Sequence, residues 1–141
     1  MSQFDFIKNG IHNFYKVTVN DIISSEKKLG ISFPIELREF FKEVGYGFIK
    51  GKSVNSINRF MDPNSIAEIT LREGYYEYDP DLEIYDEKDK LIFYEVNEGV
   101  YLTLDLNSTP NTPVYYFDAK IADSLTDFMK KVDKDSEYFK Y

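Results

Sequence analysis

The sequence predicts an α+β domain: a mainly antiparallel sheet flanked by N-terminal, central and C-terminal helices. Three observations carry that prediction. Phe33, Leu37, Phe40, Phe41 and Val44 recur at helical spacing while Glu36, Arg38, Glu39, Lys42 and Glu43 fall on the opposite face. Residues 91–96 and 100–106 are β-rich runs separated only by Asn97-Glu98-Gly99, the length of a hairpin connection. Helices and strands do not alternate as βαβ units would, so a parallel sheet is not expected.

Taken in order, the elements have mostly local causes. Phe4, Ile7, Ile11, Phe14 and Tyr15 suggest a first helix, although Gly10 inside it costs about 1 kcal/mol relative to Ala. Asn20 is positioned to cap a second helix carrying Ile22, Ile23 and Leu29, with Gly30 as its left-handed stop. Pro34 opens the central helix at a position where a missing N–H costs nothing, Glu36 complements the positive end of that helix, and Gly45 closes it. Phe48 and Ile49 read as a short strand and residues 56–61 as another, buried through Ile57 and Phe60. Asp62-Pro63 then pairs a cap with a first-turn proline and starts a helix whose expected inner face is Ile66, Ile69 and Leu71. After the hairpin, residues 114–117 give a strand bracketed by Pro113 and Asp118. A last helix covers about 125–132, with Leu125, Phe128, Met129 and Val132 inward and Ser124 to Asp127 resembling a capping box.

Length and composition restrict what such a domain does. The 141 residues suit one domain, able to bury about 68–70% of its unfolded surface without a staple. No Cys is present, so thiolate metal sites, Cys nucleophiles and redox dithiols are excluded, and the single His12 excludes a multi-histidine metal site. No apolar run reaches the roughly 18 residues of a membrane span, and the opening lacks the pattern of a signal peptide, so a cytoplasmic location away from membranes is expected. A net charge of −8 argues against nonspecific nucleic-acid binding, which depends on Lys and Arg neutralising phosphates.

The run Glu26-Lys27-Lys28-Leu29-Gly30-Ile31-Ser32-Phe33-Pro34, leading into Leu37, Phe40, Phe41 and Gly45-Tyr46-Gly47, resembles the opening of the SUKH superfamily. That group includes a fungal regulator of cell-wall glucan assembly and many bacterial proteins. Asn58-Arg59-Phe60, Asp62-Pro63, the hairpin at Gly99 and the closing residues 124–129 follow in the family's order, so the resemblance spans about residues 18–132. It implies an α+β domain with no established catalytic centre and no cofactor. For bacterial members it implies an immunity protein that binds and neutralises a cognate toxin; the alternative is an intracellular scaffold binding a cellular protein. The matching residues are framework positions and transfer no binding site.

A binding surface is expected instead from residues 73–90, where eight acids face two lysines. The remaining 123 residues carry a net charge of only −2. Tyr75, Tyr76, Tyr78 and Tyr85 are interleaved there and are the expected anchors, since Tyr is a frequent interface anchor. Asp79, Asp81, Glu83, Asp86 and Glu87 are expected to steer a basic partner, such as a nuclease that grips phosphates. The same acids do not form a calcium loop, because Ile84 and Lys90 occupy the positions of its required Gly and Glu. Proximity in an acidic run is likewise no basis for acid–base catalysis, which needs carboxylates converging in a cleft. Neither catalytic residues nor a metal are expected.

Overall fold

The computed structural model describes residues 3–8, 10–51, 56–107 and 111–140. Among these, seven strands form one sheet in consecutive order, every neighbouring pair antiparallel: β1 Asn13–Tyr15, β2 Tyr46–Phe48, β3 Arg59–Phe60, β4 Lys90–Asn97, β5 Val100–Asp105, β6 Val114–Tyr116 and β7 Ala119–Ala122. Four α-helices accompany it: α1 Val19–Leu29, α2 Ile35–Glu43, α3 Pro63–Leu71 and α4 Leu125–Lys134. The α+β class and the antiparallel sheet expected from the sequence are both present.

Cross-strand partners in a pleated sheet share a face, and their chain neighbours point to the other. One row of partners crosses the whole sheet through Phe14, Gly47, Phe60, Tyr94, Leu102, Tyr116 and Ala119. Helices cover this face. Phe40 of α2 stacks on Phe60 at 4.2 Å and meets Phe14 at 6.1 Å, and Phe128 of α4 meets Tyr94 at 5.2 Å. Gly47 lies between Phe14 and Phe60 in the row; a Cβ there would stand 2.0 Å from the Asn13 carbonyl oxygen, so only glycine admits this approach of β1. Phe40, Phe60 and Phe128 are fully buried, and the aromatic stripe of the central helix is core.

The local stops and starts mostly follow the sequence. Gly30 takes a left-handed φ of 74° after α1. The Asp62 carboxylate accepts the Ser65 N–H at 3.2 Å, and Ser124 Oγ accepts the Asp127 N–H at 3.0 Å. The cap of α1 is Thr18, whose hydroxyl accepts the Asp21 N–H at 3.1 Å, and not Asn20, which lies inside the helix. Pro34 occupies the cap of α2 and Val44 its other end, each one residue from the expected boundary.

Three larger differences are instructive. Residues 4–15 do not form a helix. A 3-10 turn at Asp5–Ile7 is followed by positive φ at Gly10 and by β1, because Phe14 finds both a paired strand and Phe40. Phe4 and Ile7 are buried as expected, but from a different backbone. The strand expected at 114–117 is β6, which ends at Tyr116; Phe117 and Asp118 then turn the chain into β7, a strand the sequence pattern does not announce. Glu36 stands in the first turn of α2, as expected, but it also serves another helix. Its carboxylate accepts the N–H groups of Leu125 and Thr126, both at 2.9 Å, and the hydroxyl of Thr126 at 2.6 Å, so α2 caps α4. Glu26 plays a similar part earlier, accepting the Phe33 N–H at 2.6 Å and tying α1 to the entry of α2.

Candidate interaction surface

The acidic, Tyr-rich stretch is a strap laid across the sheet face that the helices leave open. Arg59, Glu95 and Tyr101 form a cross-strand row on that face, one residue out of step with the helix-covered row. Tyr76 and Tyr85 reach down to it. The strap itself has two 3-10 turns, Gly74–Tyr76 and Pro80–Ile84, the second started by Asp79, whose carboxylate accepts the Asp81 N–H at 3.0 Å.

Several attachments hold the strap. Arg72 ends α3 in a left-handed conformation, φ 56°, and its guanidinium donates to the carbonyls of Leu82 at 3.2 Å and Tyr85 at 2.8 Å. The Tyr76 hydroxyl accepts from Arg59 at 3.1 Å, and Arg59 in turn pairs with Glu95 at 3.2 Å. Leu82 is buried beneath the strap's second turn. The Tyr85 hydroxyl accepts the backbone N–H of Tyr101 at 3.0 Å, beside the irregularity in the β4–β5 ladder at Glu95 and Asn97. Finally, Asp81 crowds Gly99 so closely that a Cβ there would meet its carboxylate at 2.6 Å.

Burial sets the electrostatics beneath the strap. It pushes the hydroxyls of Tyr76, Tyr85 and Tyr101 above their ordinary range, with Arg59 opposing at Tyr76 and the Tyr101 N–H opposing at Tyr85. Burial also raises the Glu95 carboxyl, against the pull of Arg59. Tyr76, Tyr85 and Glu95 are paired within the domain, as a structural network requires.

The nine residues expected to bind a partner therefore divide. Tyr76 is only 6% exposed and Tyr85 is half-buried with its hydroxyl engaged, so both fasten the strap and are not free anchors. Tyr75 and Tyr78 are each 86% exposed. Asp81, Glu83, Asp86 and Glu87 are exposed and Asp79 is half-buried. Glu87 also pairs with Lys90 at 3.3 Å. Tyr78, Asp79, Glu83 and Asp86 line a concavity of about 480 Å³ above Leu82 and Arg72.

Two residues on this surface were missed. Ile84 is 64% exposed at the end of the strap, and Phe117 is 43% exposed in the β6–β7 turn with φ 55°. A non-glycine residue in that region costs roughly 1–2 kcal/mol, and nothing in the β-forming run 114–117 signals it. The chain's one histidine is elsewhere and structural: His12 Nδ1 accepts the Lys50 N–H at 3.0 Å, and Nε2 lies 2.8 Å from Asp133. Among the described residues no group of His, Asp and Glu is placed to hold a metal ion, and no helix is long and apolar enough to cross a membrane.

Comparison with known proteins agrees with this framework. The family model SUKH_6, described as SMI1-KNR4 cell-wall, matches residues 20–129. The chain is 44% identical over 139 residues to "Immunity protein YxxD" of Bacillus subtilis (strain 168), covering 96% of this chain and 94% of that protein. No solved structure matches. With its Glu26 tie, its α2 stripe and the first half of its closing helix inside the matched span, the chain belongs to the SUKH superfamily.

Proposed function

We propose that this chain is an immunity protein: a cytoplasmic, non-enzymatic domain that neutralises a cognate protein toxin by binding it one to one. The observation that carries this reading is the similarity, along nearly its whole length, to a protein named as an immunity protein. The arrangement on the open sheet face supports a binding role. A strap held at several points presents exposed Tyr75 and Tyr78 amid carboxylates, and rigid aromatic groups give contact area at low entropic cost.

The toxin's complementary surface is basic, as the surface of a phosphate-gripping nuclease is. Attraction between the two surfaces speeds their encounter, with rate constants of roughly 10⁸–10⁹ M⁻¹s⁻¹ at low salt in favourable cases. Neutralisation then follows from occlusion, with no bond made or broken. Co-expression with the toxin encoded beside this gene tests the proposal. Rescue of growth with recovery of a one-to-one complex is expected; continued killing, with no complex recovered, would overturn it.

A further inference from the structure

The hairpin between β6 and β7 turns on Phe117 and Asp118, with Tyr116 paired to Ala119 on either side. Two-residue hairpins that need positive φ at their first turn residue ordinarily place Gly or Asn there. Here the residue is Phe117, with φ 55°. Its ring is not buried in compensation: 43% of the residue remains exposed, and the ring lies stacked on Tyr85 at 6.2 Å and 23°. Ile84, 64% exposed, stands on the strap beside Tyr85. These three side chains, with Thr103, line a notch of about 280 Å³.

Charge around the notch indicates what enters it. Glu87 and Asp118 lie at its lining, and Glu83 and Asp86 flank Ile84 and Tyr85 along the chain. The one cation lining it, Lys90, is paired with Glu87 at 3.3 Å and rests over the Tyr115 ring at 4.0 Å. An apolar throat with a negative surround is complementary to an apolar side chain that projects from a positive surface.

We infer that the Ile84–Tyr85–Phe117 notch is the anchor pocket of the interface, receiving one side chain of Leu, Met or aromatic size from a cationic protein partner. Phe117 is held in a conformation it disfavours because its ring forms the wall of that pocket. The inference rests on the immunity reading, since it takes the strap to be the face on which the toxin docks.

Two variants test it. Phe117→Asn keeps a residue that tolerates positive φ while removing the wall; Ile84→Ser removes a second apolar lining group at an exposed position. Each is titrated against the toxin domain encoded beside this gene, with dissociation followed kinetically and melting temperature measured in parallel. Dissociation at least about tenfold faster for each variant, with melting kept within a few degrees of wild type, is expected of an anchor residue. Wild-type dissociation of Ile84→Ser from a toxin that the wild-type chain binds and neutralises would overturn the notch and leave the immunity reading standing. If Phe117→Asn fails to fold, Ile84→Ser decides alone. A wild-type chain that neither binds nor protects overturns both.

Discussion

The carboxylate of Glu36, in α2, accepts the backbone N–H of Thr126, in α4, at 2.9 Å. It also takes the Leu125 N–H and the hydroxyls of Thr126 and Thr112, so a single side chain satisfies the first turn of the closing helix and fixes its position against the central one. Hydrogen bonds to a charged group contribute about 1.5–3 kcal/mol, and loss of a cap costs about 0.5–2 kcal/mol. Glu36→Ala is expected to destabilise by about 3 kcal/mol, and Glu36→Gln by clearly less because an amide oxygen still accepts. Chemical denaturation of both variants checks this; equal stability of Glu36→Ala and wild type would show that the cap is ornamental.

The strap's attachment through Tyr85 makes a second prediction. Tyr85→Phe removes one oxygen and leaves the Tyr101 N–H without its acceptor, at a cost of about 1–3 kcal/mol. Hydrogen exchange at the Tyr101 amide is expected to accelerate in the variant while amides of α4 keep their wild-type ranking. Uniform acceleration throughout the chain would instead mean that the strap unfolds only with the whole domain.

Alkaline pH provides a third. Tyr76, Tyr85, Tyr94, Tyr101 and Tyr138 all have folded-state pKa values raised above 10.0, burial being the first cause in each. A raised acid binds its proton more tightly in the folded state, so the stability it contributes is complete below the unfolded value and falls as pH climbs above about 10 toward the folded value. Denaturant midpoints are expected to fall above pH 10, with the fully buried Tyr94 ionising only as the chain unfolds. Reversible ionisation of all five below pH 10 with the fold intact, read from tyrosinate absorbance, would contradict the burial assigned to them.

How much of this was legible in the sequence depended on the range of the cause. The α2 stripe, the Gly30 stop, the Asp62 and Ser124 caps and the hairpin at Gly99 are written within a few residues of where they act. The place of Glu36 in the first turn of its own helix is legible, but its cap on a helix 90 residues away is not, because periodicity contains no information about it. Phe14 entered a strand because Phe40 and β2 were waiting for it, a tertiary effect that outweighed the helical spacing of its neighbours. The acidic segment was visible as a unit, but it lacks a period. Nothing local distinguished Tyr76 and Tyr85, which face the sheet, from Tyr75 and Tyr78, which face water.

The proposed binding role falls to those outward groups, and association kinetics with the toxin encoded beside this gene address it at its source. The comparison is wild type against Glu77→Lys, Glu83→Lys and Asp86→Lys combined, three exposed positions on the strap. The wild-type association rate is expected to fall as salt rises through the physiological range, and the triple variant to associate at least about tenfold more slowly with a flattened salt response. Equal association rates and equal salt dependence for the two proteins would contradict a docking role for the strap.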